Sequence, residues 1–197
     1  MAGYGGIRDA LESLASVMRS HITDSGEAGL AGVPVRVNSP REVEQANVSN
    51  AVAVWLHRID IQPDLVNIAP TRPDPDHESR RPLPVELAVQ VVPMNSDGAT
   101  AQLLLGRVLQ VVHDHRRLTG TLLAGALNAS GTVLTLTPEF PGAYELNLVW
   151  AGQQATQRPG AGVRITGLSI DSHLDTRASA PVLTATAGLG QIVGVGP

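Results

Sequence analysis

The sequence contains no cysteine, which excludes disulfides, thiolate catalysis and cysteine-built zinc sites. Aromatic residues are nearly as scarce, at one Phe, two Trp and two Tyr in 197 residues. A core therefore has to come from Val, Leu, Ile and Ala, which favours sheet-rich, aliphatic packing. There is no basic block, and with a net charge of −4 this argues against nucleic acid as a partner. No apolar run reaches the roughly 18 residues that span a bilayer. The opening MAGYGGIRDALESLA has neither the positive n-region nor the apolar h-region of a signal peptide. These absences lead to the expectation of a soluble, cytoplasmic chain that is not inserted in a membrane, or one built into an assembly there.

What is present is apolar enough to fold. Hydrophobic residues make up 43% and charged ones 16%, a balance outside the range of disordered chains. The length suits one substantial domain, or one domain with an appendage. The strongest helical pattern runs from Ala101 to Leu118. Ala101, Leu104, Leu105, Val108, Val111 and Val112 recur at three- and four-residue spacings and form one apolar stripe. Asn95 to Gly98 supplies turn and capping chemistry ahead of it, and His115, Arg116 and Arg117 suit the negative pole of the helix dipole.

Other elements follow in order. Ile7, Leu11, Leu14, Met18 and Ile22 trace one face of a first helix, with Arg8, Asp9 and Glu12 off it. Val33 to Val37 alternates like a short strand, and Pro34 restricts it to an edge. Arg41 to Asn50 reads as polar connection. Ala51 to Ile59 is a nearly continuous apolar run, as in strands buried on both faces. The proline-rich stretch 60–82 is too long for a simple connection and reads as either an ordered functional loop or a mobile one. Leu83 to Val91 alternates cleanly, and Pro93 is expected to end it. Residues 119–130 fit either a short helix or a packed loop. Val133 to Leu136 is a strand closed by Thr137-Pro138. Glu139 to Gln153 is a second short helix, with Tyr144, Leu148 and Ala151 on one side. Val163 to Ile170 is a last strand, with a bulge expected at Gly167, where the alternation slips. The composition changes at His173, placing a domain over 1–173 and an apolar Gly/Ala/Thr-rich arm over 174–197.

The search for chemistry yields little. His113-Asp114-His115 is the one His/Asp cluster, but residues two apart on a helix point to different sides. A metal-dependent hydrolase using His57, His113, Asp114 and His115 is the alternative from the enzyme class; a capping, cationic helix end is the simpler reading. His57 shares a strand face with Trp55 and reads as a core histidine. His77 lies in a loose acidic patch with Asp74, Asp76 and Glu78 that fits no calcium-loop pattern. There is no glycine-rich phosphate loop after a strand and no GxSxG elbow. The expectation is a protein with no catalytic residue, no cofactor and no metal.

The order of features does resemble one family. Val54-Trp55-Leu56-His57-Arg58-Ile59 is followed by Asn67, Arg81-Pro82-Leu83-Pro84-Val85-Glu86-Leu87 and Leu104-Leu105-Gly106-Arg107-Val108. Then come Val112-His113-Asp114-His115, Leu146 to Trp150, Arg158-Pro159 and a closing strand from Val163 to Asp171. This order is similar to that of the cap, or tail-terminator, proteins of contractile, phage-tail-like injection systems. It departs in having Val89 and Val91 where tyrosines are usual, and Arg116 where a proline usually follows His-Asp-His. The resemblance implies an α+β fold, a mixed or antiparallel twisted sheet with helices on one side. It also implies a homohexameric ring on the last layer of inner tube and sheath, ending their polymerisation and anchoring the sheath. A baseplate or tube adaptor is the alternative within the structural class.

Arg58, Arg80 and Arg81 could form ion pairs across an interface, and partner contacts are expected at Arg80 and Arg81 and in the arm. Val182, Leu183, Leu189, Ile192 and Val193 cannot bury themselves in so short and glycine-rich a segment. An extended arm that adds a strand to a neighbour's sheet would cover them; a mobile tail is the alternative.

Overall fold

The computed structural model describes residues 3–66, 77–174 and 177–178. The first helix, α1 (Gly6–His21), is followed by strand β1 (Val35–Arg36), helix α2 (Pro40–Gln45), strand β2 (Asn50–Ile61) and helix α3 (Pro63–Val66). Next come β3 (His77–Glu78), β4 (Leu83–Asn95), helix α4 (Gly98–Asp114), β5 (Arg117–Leu118), two 3-10 turns, and β6 (Leu134–Glu139). Helix α5 (Ala143–Gln153), β7 (Ala161–Ile170) and β8 (Arg177–Ala178) complete the order. Six strands form one sheet in the order β1-β2-β4-β7-β6-β5, and β3 pairs with β8 as a separate ribbon. Only β1 runs parallel to its neighbour; β2, β4, β7, β6 and β5 are joined antiparallel. The fold is the expected α+β class with a mixed sheet.

Alternation sorts the side chains of β2 and β4 between two faces. Val52 and Val54 of β2, with Val85, Leu87, Val89 and Val91 of β4, look inward onto the larger core. There they meet Leu14 and Met18 of α1 and Leu104, Val108, Val111 and Val112 of α4. Ala51, Ala53, Val92 and Met94 look outward and are covered by Val43 of α2 and Trp150 of α5. Helices therefore lie on both sides of the sheet, where the resemblance implied one.

Several sequence expectations need correction. Helix α4 ends at Asp114, and His115 is its C-cap; the chain then extends so that Arg117 and Leu118 can pair with β6. The stretch after Pro40 is a helix rather than connection, started by a capping box in which the Ser39 side chain and Glu42 satisfy each other's backbone. Pro93 does not end β4. Val52 donates its N–H to the Pro34 carbonyl, away from β4, so Val52 and Pro93 face each other without ladder bonds. The Pro93 nitrogen therefore points toward β7, which has stopped opposite Val91, and no bond is lost. Pro138 is accommodated in the same way. Leu136 donates to the Arg116 carbonyl, and Pro138 faces that same side beyond the last pair of the short β5.

The expected bulge is present. Three steps on β7 oppose two on β4 between Val85 and Leu87, and Gly167 sits there at φ 89°. A Cβ at Gly167 would run into the Val133 carbonyl oxygen, so both conformation and space call for glycine.

Asp9, placed off the apolar face by its charge, is 4% exposed. It accepts from Arg8 at 2.8 Å and from the Ala126 N–H at 3.0 Å, while Ser13 accepts from the Ala124 N–H at 2.8 Å. These bonds pin the 3-10 turns to α1, and Leu123 and Leu127 enter the core beside them.

Candidate functional site

The outward face changes character along the strands. Arg58 and Asp60 lie two apart on β2, and Glu86, Arg164 and Glu139 stand beside them on β4, β7 and β6. Arg58 bonds Asp60 at 2.7 Å, reaches Glu139 at 3.7 Å and pairs with Glu145 of α5. Arg164 bonds Glu86 at 3.0 Å and Glu139 at 2.7 Å. Two guanidinium groups thus face four carboxylates, an excess of two negative charges. The hydrogen bond from Arg164 holds the Glu139 carboxyl below its usual range. His57, half-buried next to Trp55, is pushed down by burial and then by the Arg58 charge, so its neutral form is favoured.

Helix α5 crosses this face with Trp150 turned inward and the side of Tyr144, Leu148 and Ala151 turned to solvent. Trp150 is 2% exposed and meets Trp55 edge-on at 6.1 Å, and Leu146 packs beside it. Tyr144 is 78% exposed, Leu148 56%, and Phe140 just before the helix 72%. Ala151 is exposed as well. The reason is that α5 is apolar around much of its circumference, so spacing alone does not choose a side.

The inward face also has an uncovered end. Ile59, Ile61 and Leu83 share the parity of Leu87 and Val85, yet all three are exposed. Arg80 and Arg81, expected partner-binding residues, are exposed beside Leu83 and make no ion pair among the described residues. The loop before them and the start of the arm meet: β3 pairs antiparallel with β8, His77 opposite Ala178 and Glu78 opposite Arg177. Val182, Leu183, Leu189, Ile192 and Val193 lie outside the described residues, as do Asn67, Asp74 and Asp76.

The histidines are not gathered for catalysis. His113 is bonded by Arg116 at 3.2 Å. His115 turns to His21 of α1, with the two Nε2 atoms 3.3 Å apart, while its Nδ1 meets the Val111 carbonyl at 3.1 Å. His57 is on β2, not at that helix end. Among the described residues no three His, Asp or Glu side chains are grouped as a metal site needs, and the hydrolase alternative finds no support. No helix among the described residues is long and apolar enough to cross a membrane.

The fold is thus an α+β domain that leaves charged and apolar side chains exposed on both faces of its sheet. A family model described as the Pvc16 N-terminal domain matches residues 9–184. The chain belongs to that family. Among solved structures it is similar to the sheath/tube terminator of an extracellular contractile injection system, PVC, in the extended state. That likeness has a TM-score of 0.66 at 13% identity and covers 96% of this chain and 65% of the other. It is also similar to the tube-terminating cap of the anti-feeding prophage, with a TM-score of 0.60, 13% identity, and 90% and 59% of the two chains covered. The chain therefore spans about three fifths of the length of these neighbours. No curated protein matches it.

Proposed function

We propose that this protein is a structural cap, or tail terminator, of a contractile phage-tail-like injection particle. It sits as a homohexameric ring on the distal end of the inner tube and sheath, stops their polymerisation and anchors the sheath during contraction. The role involves no reaction and no cofactor. Subunits are made in the cytoplasm and built into the particle there.

The observation that carries this reading is the agreement of nearly the whole chain with a sheath/tube terminator, joined to membership of the matching domain family. The surfaces fit it. Arg80 and Arg81 are exposed beside Ile61 and Leu83, themselves open to solvent, and the loop before them is held by the start of the arm. The remaining arm, 174–197 in the division proposed at His173, reaches a neighbour with Val182, Leu183, Leu189, Ile192 and Val193 and completes a sheet there.

The test is imaging of particles from cells lacking the protein. Overlong or uncapped tails are expected, and tails of native length overturn the reading. Truncation after His173 isolates the arm: loss of particle anchoring is expected, and unchanged assembly removes the arm from the contact.

A further inference from the structure

Tyr144 and Leu148, one turn apart on the outer side of α5, and Phe140 just before the helix leave an exposed apolar stripe, each residue more than half exposed. The sole Phe and one of the two Tyr of the chain are committed to it, while both Trp are buried. Aromatic side chains bury the largest areas and dominate interface energetics. A chain this short of them leaves substantial apolar area in water unless something covers the stripe.

Charge indicates what that is. The stripe is flanked by Glu139 and Glu145, part of a cluster in which carboxylates exceed guanidinium groups by two. An occupant must be apolar at its centre and basic at its rim. The same chain carries such a surface: exposed Ile61 and Leu83 with Arg80 and Arg81, whose two charges have no partner among the described residues. The two patches belong to opposite faces of the sheet, since Leu83 and Ile61 share the parity of the inward core and α5 covers the outward one. Unlike surfaces on opposite sides of one subunit join head to tail, and such contacts generate closed rings when the rotation closes.

We infer that the α5 stripe of one copy receives the Arg80–Leu83 edge of a second copy. This deepens the ring reading and rests on it. Tyr144 and Phe140 are the apolar anchors, and the two arginines of the incoming edge neutralise the excess carboxylates around Glu145.

The absence of cysteine makes a direct test available. Tyr144→Cys and Leu83→Cys, and Phe140→Cys with Arg81→Cys, are introduced into the full chain singly and in pairs, and assembled particles are mildly oxidised. Each pair is expected to give a ladder of covalent oligomers, because a disulfide forms only when the Cα atoms lie within about 7 Å. The single variants are expected to give none. Dimers from a single variant overturn the inference by indicating a two-fold contact. A photo-reactive label on the thiol of the Tyr144→Cys variant that marks a tube or sheath subunit overturns it by naming another occupant. Particles of native length without covalent oligomers from either pair overturn it while leaving the capping role intact. Should the cysteines impair assembly, Arg80→Glu with Arg81→Glu gives a second measurement. At least a tenfold loss of ring species by light scattering is expected, with part of it recovered on adding Glu145→Lys. An unchanged mass distribution overturns the inference.

Discussion

The two faces of the sheet follow different rules. The inward face is closed over most of its length: Val, Leu and Ile from all six strands of the sheet meet α1 and α4. Ile59, Ile61 and Leu83 stay exposed at one end, and the buried carboxylate of Asp9 accepts from Arg8 and the Ala126 N–H. The outward face is only part-covered. A small cluster around Trp150 and Met94 fills one end, while the other carries arginines, carboxylates and an apolar stripe turned to solvent. Most burial is on the inward side, and the exposed α5 stripe proposed above as a contact lies on the outward one. A substitution on the inward face should unfold the domain, and one on the outward stripe should leave it folded but without its neighbour.

The largest effect is expected from Leu14→Ala. Leu14 is fully buried between α1 and the inward strands, so truncation removes transfer energy and leaves a cavity, costing about 2–5 kcal/mol. Urea unfolding measures it. A cost below about 1 kcal/mol would mean that the inward face is not the stabilising one.

Asp9→Asn tests the polar pin in the same core. Loss of the charged bonds to Arg8 and Ala126 should cost about 1–3 kcal/mol at neutral pH. The Arg8 bond first, and the Ala126 N–H with it, lowers the Asp9 pKa against the opposing effect of burial. A carboxylate whose folded pKa is depressed contributes stability that is complete above its unfolded value, about 3.9. That contribution disappears as pH falls through the depressed folded value. The stability gap between wild type and variant should therefore close on acidification below about pH 4. A gap independent of pH would show that packing, not charge, is what the variant lost.

These two residues also mark what could be read beforehand. Leu14 lay on a clear helical stripe, and the expected apolar face of α1 was the buried one. Asp9 is charged and lies off the apolar stripe, which points to solvent; its buried backbone partner, the Ala126 N–H, lies over a hundred residues away, and no local pattern announces it. Pro93 and Pro138 misled for a related reason. A proline is excluded from a strand only on the side where a neighbour needs its N–H, and which side is open depends on where β7 and β5 stop. For α5 the chain gave no preferred face, and Trp55 on another strand decided that Trp150, not Tyr144, turns inward. The clean alternation of β4 and the slip at Gly167 needed no distant partner, and both were legible.

Trp150→Phe probes the small outward cluster. The Trp150 Nε1 atom is buried without a hydrogen-bond partner among the described residues. Phenylalanine removes that unsatisfied donor while losing some volume and the edge contact with Trp55. The opposing terms should leave a change under about 1.5 kcal/mol in thermal unfolding. A larger loss would give the outward cluster a share of stability comparable with that of the inward core.

The smallest stability effect belongs to Tyr144→Ala, and it divides the two faces most sharply. Tyr144 is 78% exposed and sits early in α5, where alanine is the better helix former. Exposed substitutions away from caps and networks stay within about 0.5 kcal/mol, so the midpoint of chemical unfolding should barely move. Binding behaves differently, because an aromatic anchor at the centre of a contact commonly carries about 2 kcal/mol or more. Incorporation into particles should therefore fall by roughly 30-fold or more while the isolated domain remains as stable as before. If stability and incorporation fell together, the stripe would belong to the fold after all, and the division between a closed face and a contact face would fail.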